Sequence, residues 1–297
     1  MLKKCVKDRI AAYIFSLPAL LLFIVMIGVP MVMGVTYSLT DWAGITNKIN
    51  FIGLKNYARL FQDKVFYLAI KNTLYITVVT VVFQNVFGVL LAVAMTSKKV
   101  KAKGLLKVIY FIPNLLSVVV VCYTWMYILN VHVGLFGWVL SNIGITSVVK
   151  YDMLIKQMPA LTIIALILVW QFSGYNMTIY ISGLQAIDQS LYESAEIDGA
   201  SSVRKFFSIT LPLIMPSITV CVFVNMIGCL KIFEQVYILT KGGPGTTTTT
   251  IGTFIYNSAL SANQYGYGTA ISTILFLMVL VITLAQVKFT RSKEVEM

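Results

Sequence analysis

Apolar residues fall in six long runs along this chain, near 10–39, 67–96, 105–130, 158–183, 213–238 and 267–289. A helix needs about 20 apolar residues to cross about 30 Å of hydrocarbon. Lipid offers the backbone no hydrogen-bond partners, so each run must satisfy its own amides. The pattern therefore predicts six transmembrane helices in an all-α, polytopic membrane protein. Continuous apolarity also excludes the alternating in–out pattern of a transmembrane barrel. The first run follows Lys3, Lys4, Lys7 and Arg9 but is too long for a signal-peptide core, so it reads as a retained span. The division expected is 1–66 for the tail, first helix and outer loop, 67–290 for a five-helix transmembrane domain, and 291–297 for a second tail.

Composition agrees with a bilayer. Hydrophobic residues make up 58% of the chain and charged ones 11%, against about 25% charged in soluble domains; mean hydropathy is +0.85. The net charge of +12 comes without a basic helix or finger motif, which argues against nucleic acid; headgroup contact and topology account for it. Fourteen of the 23 basic residues lie in the N-terminus, 98–107, Arg204–Lys205 and the C-terminal tail. By the positive-inside rule these segments, both termini included, are cytoplasmic in a plasma (inner) membrane. "KGGPG" and the run Thr246–Thr250 then form a polar outer loop. No Gly-Lys-Ser/Thr phosphate cradle occurs, so this chain is not expected to hydrolyse ATP. Cys5, Cys122, Cys221 and Cys229 show no metal spacing, His132 reads as a loop residue, and no cofactor is implied.

One polar segment interrupts the apolar pattern between spans four and five. Ser190-Leu191-Tyr192-Glu193 fits a capping box with Ser190 as N-cap. A helix of about two turns should run to Gly199, which suits the left-handed position past a helix end. A second short helix is expected from near Ser202 to before Pro212, packing Phe206, Phe207, Ile209 and Leu211 toward the membrane.

The spacing Glu193-Ser194-Ala195, Gly199, Ile209-x-Leu211-Pro212 resembles the EAA loop of permease subunits of binding-protein-dependent ABC importers, with Ser194 where the pattern has alanine. "FIGLKNYARLF" (51–61), "NTLYIT" (72–77), "LTKGGPG" (239–245) and "YGYGTAIS" (265–272) are similar to the carbohydrate-uptake branch, in the half that includes the larger maltose permease subunit and the glycerol-phosphate permease. The large extracellular insertion and two extra N-terminal spans of that maltose subunit are missing. The resemblance implies a type I importer permease fold whose coupling helix docks in a cytoplasmic ATPase. Glu193, Ala195, Gly199, Leu211 and Pro212 are then the coupling residues. It also implies a second homologous permease subunit, a dimeric ATPase, and an extracellular or periplasmic sugar-binding protein meeting 41–65, 131–156 and 240–265. The alternatives are a stand-alone secondary transporter, which should show two-half repeats, or an importer of a non-sugar solute such as glycerol phosphate. An intramembrane enzyme would want catalytic groups that one histidine and one in-span carboxylate, Glu234, do not supply.

Polar groups inside spans are functional candidates because they are costly in lipid. Span four carries Trp170, Gln171, Ser173, Tyr175 and Asn176; span five Asn225, Lys231 and Glu234; span two Gln84 and Asn85; and span three opens with Pro113-Asn114. Rings beside amides suit a sugar, although interhelical hydrogen bonding would use the same residues. Lys231 and Glu234, three apart, would then neutralise one another. Matching the landmarks to the resembled permeases puts Asn114, Gln171, Tyr175, Asn225, Gly228 and Cys229 on a substrate cavity.

Overall fold

A computed structural model describes residues 15–44, 49–97, 100–130, 134–142, 154 and 156–292. Cys5, His132 and most of the outer segment 131–156 lie outside the described residues. Two compact units make up the chain, one of residues 1–63 with 255–274, the other of 64–254 with 275–297.

In the first unit, α1 (Phe15–Ser38) exposes its apolar side chains almost throughout, as a helix solvated by lipid does. The chain then turns through a single antiparallel bridge between Thr40 and Phe51. Buried Asn56, on the short helix α2 (Lys55–Leu60), fastens the turn by donating its amide to the carbonyls of Ser38 and Thr40, 2.8 Å each. Asp41 accepts from the side chain and backbone amide of Asn50, which hold its carboxyl below the usual value. Two of the quoted sequence segments meet here. Arg59 lies over the ring of Tyr267 at 4.3 Å, and the Gly266 amide donates to the Trp42 carbonyl at 2.9 Å.

The second unit is built on α3 (Lys64–Thr96) and α7 (Gln157–Gln185), which pack along their lengths. Gly88 of α3 leaves room for Asn176 and Tyr180 of α7. One core cluster gathers Ile76, Val121, Cys122, Leu161, Ile164 and Val236; a second gathers Val89, Met95, Met177, Tyr180, Ile214 and Cys221. Four described helices are single spans: α1, α3, α7 and α13 (Tyr265–Arg291). The other two predicted spans are bent helix pairs, and counting each pair as one span gives six.

Span three bends by 98° between α4 (Lys103–Leu115) and α5 (Val118–Leu129). Pro113 withholds the donor that Ile109 would otherwise receive, and the helix ends two residues later. Leu116 and Ser117 are extended, with ψ of 140° and 137°. Pro113-Asn114 therefore stands at a mid-span break and does not open the span.

Span five also departs from expectation. The helix that begins at Ser202 does not stop before Pro212; α9 (Ser202–Leu213) runs through it and turns by 66° into α10 (Met215–Leu230). A π-helical stretch over Phe206–Thr210, closed by the Leu211 amide on the Phe206 carbonyl, precedes the proline. The widened turn relieves the clash between the proline ring and the carbonyl four residues back. Beyond Leu230 the apolar run is no longer one helix. Lys231 is exposed at a break, and Glu234 opens the short helix α11 (Glu234–Leu239), where a carboxylate suits the helix N-terminus. No ion pair joins Lys231 to Glu234.

The threonine run is not the exposed loop its polarity suggests. Thr248, Thr249 and Thr250 are buried. Asn72 on α3 donates to the carbonyls of Thr247 and Thr249 at 2.8 and 2.9 Å, and the Ile251 amide donates to Thr73 Oγ1 at 3.0 Å. Thr248 Oγ1 donates to the Gly243 carbonyl at 2.8 Å. Threonine hydroxyls close the loop on itself, so a polar sequence becomes a packed one.

Candidate functional site

A cavity of about 360 Å³ opens between α3, α4, α7, α10 and α11, within the roughly 300–1,000 Å³ usual for small-molecule sites. Thr80 and Gln84 come from one face of α3, four residues apart. Asn114 comes from the end of α4, which the break in span three turns inward. Leu168, Phe172 and Tyr175 come from α7; Val224, Asn225, Gly228 and Cys229 from α10; Ile232 and Gln235 from the second break and α11. Gln84 Nε2 donates to Asn225 Oδ1 at 3.2 Å. The break after Leu230 puts irregular backbone beside the cavity, at Ile232, where such backbone is tolerated in membrane proteins.

Five of the six expected pocket residues, Asn114, Tyr175, Asn225, Gly228 and Cys229, line this cavity. Gln171 does not. Its amide donates to the Leu116 carbonyl at 3.3 Å and serves the break in span three. Thr80, Phe172 and Gln235 belong to the lining although the sequence reading passed over them. Gln235 follows Glu234 directly, and the helical offset from Gln84 to Thr80 was the available signal. Elsewhere between α3 and α7, Tyr180 donates to Asn85 Oδ1, which Asn176 Nδ2 also approaches at 3.5 Å. Asn85 and Asn176 therefore hold α3 and α7 together.

The hairpin between spans four and five is compact. Helix α8 (Gln189–Ile197) is capped by Asp188, whose Oδ1 accepts from the Ser190 amide at 2.9 Å. This replaces the expected Ser190–Glu193 capping box. Both Asp188 and Ser190 are good cap formers, and a carboxylate also suits the helix dipole. The Ser190 amide, then its side chain, hold the Asp188 carboxyl below the usual carboxylate value. A depressed folded pKa means that this contribution is present above the unfolded value and lost as pH falls through the folded one. Gly199 has φ +73°. The amides of Ala200 and Gly199 donate to the carbonyls of Ala195 and Glu196 at 2.9 and 3.0 Å, the Schellman pattern. Lys205 Nζ then pairs with Glu196 Oε1 at 2.6 Å, and Tyr192 meets the Thr210 hydroxyl at 2.9 Å, so α8 is strapped to α9.

Glu193 and Gly199 are exposed and Ala195 half-buried on this hairpin. Beside them stand two apolar side chains, Ile197 (88% exposed) and Val203 (67%). Phe207 is exposed as well, while Phe206, Ile209, Leu211 and Pro212 are half-buried. Leu211 lines an apolar groove with Val86, Val89 and Tyr180, so it belongs to the root of the hairpin.

Residues 84–294 match the family described as the inner membrane component of binding-protein-dependent transport systems. The chain belongs to this family. It is 34% identical over 305 residues to the probable starch degradation products transport system permease protein AmyD of Thermoanaerobacterium thermosulfurigenes, covering 99% of this chain and 98% of that one. Among solved structures, a permease of a bacterial ABC transporter involved in import of the acidic polysaccharide alginate superposes with a TM-score of 0.83, at 27% identity and 98% coverage of each chain. The same transporter type, bound to a periplasmic protein carrying an alginate pentasaccharide, gives 0.83 and 27% over 97% of this chain and 96% of that one. The protein is therefore a multi-pass permease subunit with the type I importer fold, a transport component that works with a binding protein. Family membership decides against the stand-alone secondary transporter.

Proposed function

We propose that this permease translocates a sugar or oligosaccharide through the cavity between its spans, driven by ATP hydrolysis on a separate dimeric cytoplasmic ATPase. A second, homologous permease subunit completes the path. The observation that carries the reading is the lining itself, amides from four helices together with Phe172 and Tyr175. Hydroxyls bond to amides, and the C–H faces of a sugar ring lie against aromatic rings. The strapped hairpin supports the second half of the reading, since a rigid pair of short helices with exposed Ile197 and Val203 transmits movement that a loose loop would absorb. Glu193, Ala195 and Gly199 are its proposed docking residues, with Leu211 and Pro212 holding the root.

Affinity purification of the tagged permease from its own membrane tests the assembly. It is expected to bring down one ATPase and one sister permease, and deletion of the gene should abolish uptake of at least one glycan. A permease that purifies alone and whose deletion changes no carbohydrate uptake would refute the reading.

The proposed orientation places both termini and the hairpin in the cytoplasm. In a cysteine-free background, single cysteines at Ser201 and Thr246, both exposed, are expected to react with an impermeant thiol reagent from opposite sides of the membrane. Thr248 would not serve, because it is 0% exposed. Reaction of both positions from outside would reverse the topology.

A further inference from the structure

We infer that the cavity admits an uncharged sugar segment and turns away uronates and phosphorylated solutes, with Thr80 Oγ1 and Asn225 Nδ2 as the pair that engages its hydroxyls. The inference rests on the carbohydrate reading and narrows it. None of the residues lining the cavity carries a formal charge. Lys231 and Glu234 flank Ile232 and Gln235 in sequence, yet neither belongs to the lining. An anion entering such a site sheds its water and meets no cation on this chain's side of the path, a penalty that neutral hydroxyls avoid.

The polar groups of the wall are also unevenly used. Threonines within helices commonly return their hydroxyl to the carbonyl four residues back. On α3, Thr73 does so to Ala69 at 2.8 Å and Thr77 to Thr73 at 2.7 Å. Thr80 departs from this habit. Its Oγ1 is fully buried with no nitrogen or oxygen partner in the chain, its polar neighbour being the Cys229 thiol, and Thr80 lines the cavity. Asn225 is 8% exposed; its Oδ1 is occupied by Gln84, while its Nδ2 is likewise buried without a partner. Gln84 thus fixes which end of the Asn225 amide is presented. A buried polar group left unpaired is costly, so a wall holding two of them on facing helices is arranged for a ligand that supplies both. A hydroxyl does so, because it donates and accepts at once.

Gly228→Cys, whose new side chain enters open space in the same lining, provides a readout independent of the binding protein. The purified complex of this variant with its sister subunit and ATPase, in lipid nanodiscs, is treated with N-methylmaleimide, and labelling of the introduced thiol is followed by mass spectrometry. Maltotriose, arabinotriose, xylotriose, trigalacturonate and glycerol 3-phosphate are compared as protectants. At least one neutral trisaccharide is expected to slow labelling, with trigalacturonate and glycerol 3-phosphate weaker by on the order of 100-fold or more. Thr80→Val, nearly isosteric, should raise the concentration for half-protection roughly 3- to 10-fold. Thr77→Val, whose hydroxyl is already spent on the backbone, should leave it unchanged. Equal protection by trigalacturonate and a neutral trisaccharide would overturn the selectivity while the carbohydrate reading stands. Protection by glycerol 3-phosphate alone, or by none of the five, would overturn both. Unchanged protection in Thr80→Val would remove the assigned hydroxyl reader.

Discussion

Gly199→Val is expected to leave the permease inserted and folded while reducing sugar uptake to near background. Gly199 is exposed, and a Cβ there would meet nothing within 4 Å, so space is not the obstacle. The obstacle is its φ of +73°, a left-handed conformation that costs an ordinary L-residue about 1–2 kcal/mol, and a β-branched one at least as much. The two Schellman bonds close α8 only in that conformation. Without them the turn opens, and the Lys205–Glu196 pair and the Ile197–Val203 surface lose their register. These defects lie on the hairpin, away from the core clusters, so the spans should still pack. Uptake in vesicles and glycan-stimulated ATP hydrolysis should both fall while the amount of permease in the membrane stays normal. Glu193→Lys, which leaves the backbone alone, should uncouple the complex by reversing a docking charge. Normal transport in both variants, with the ATPase retained, would reduce the hairpin to a connector.

Gly174→Val is expected to act at the opposite level, by preventing the second unit from packing at all. The conformation at Gly174 is ordinary helix, but an added Cβ would stand 2.0 Å from the Tyr110 carbonyl oxygen and 2.5 Å from its carbon. Those atoms are backbone of α4 and cannot rotate away. Close approach through a small residue is how helices pack in membranes, and overpacking commonly costs about 1–3 kcal/mol, more when backbone must shift. Tyr110 precedes Pro113-Asn114 by one turn, so displacement of α4 would also take Asn114 from the cavity wall. The readouts are the yield of monodisperse protein in detergent and its midpoint of thermal unfolding, both expected to fall sharply. Gly228→Ala is the control, since a Cβ there meets nothing within 4 Å and only narrows the cavity. Unfolding midpoints for Gly174→Val that match the parent protein would disprove the close α4–α7 contact.

Sequence alone determined the features that depend on local composition. Apolar runs of about 20 residues became helices because lipid leaves the backbone no other partner, and all six had counterparts in the fold. Gly199 was legible as a left-handed cap because only glycine takes that conformation freely, and the family resemblance pointed to five of the residues that line the cavity. What remained hidden depended on neighbours distant in the chain. Periodicity does not register the breaks in spans three and five, because apolarity continues through both. The Thr246–Thr250 run read as exposed because hydroxyls are polar, yet Asn72, more than 170 residues away, accounts for its buried carbonyls. The choice of Asp188 over Ser190 as the cap was one between two competent neighbours, and geometry settled it. Gln171 and Asn225 carry the same kind of amide inside spans. Only tertiary structure decided that one serves a bent backbone and the other a cavity, because an amide's role is set by which partner reaches it first.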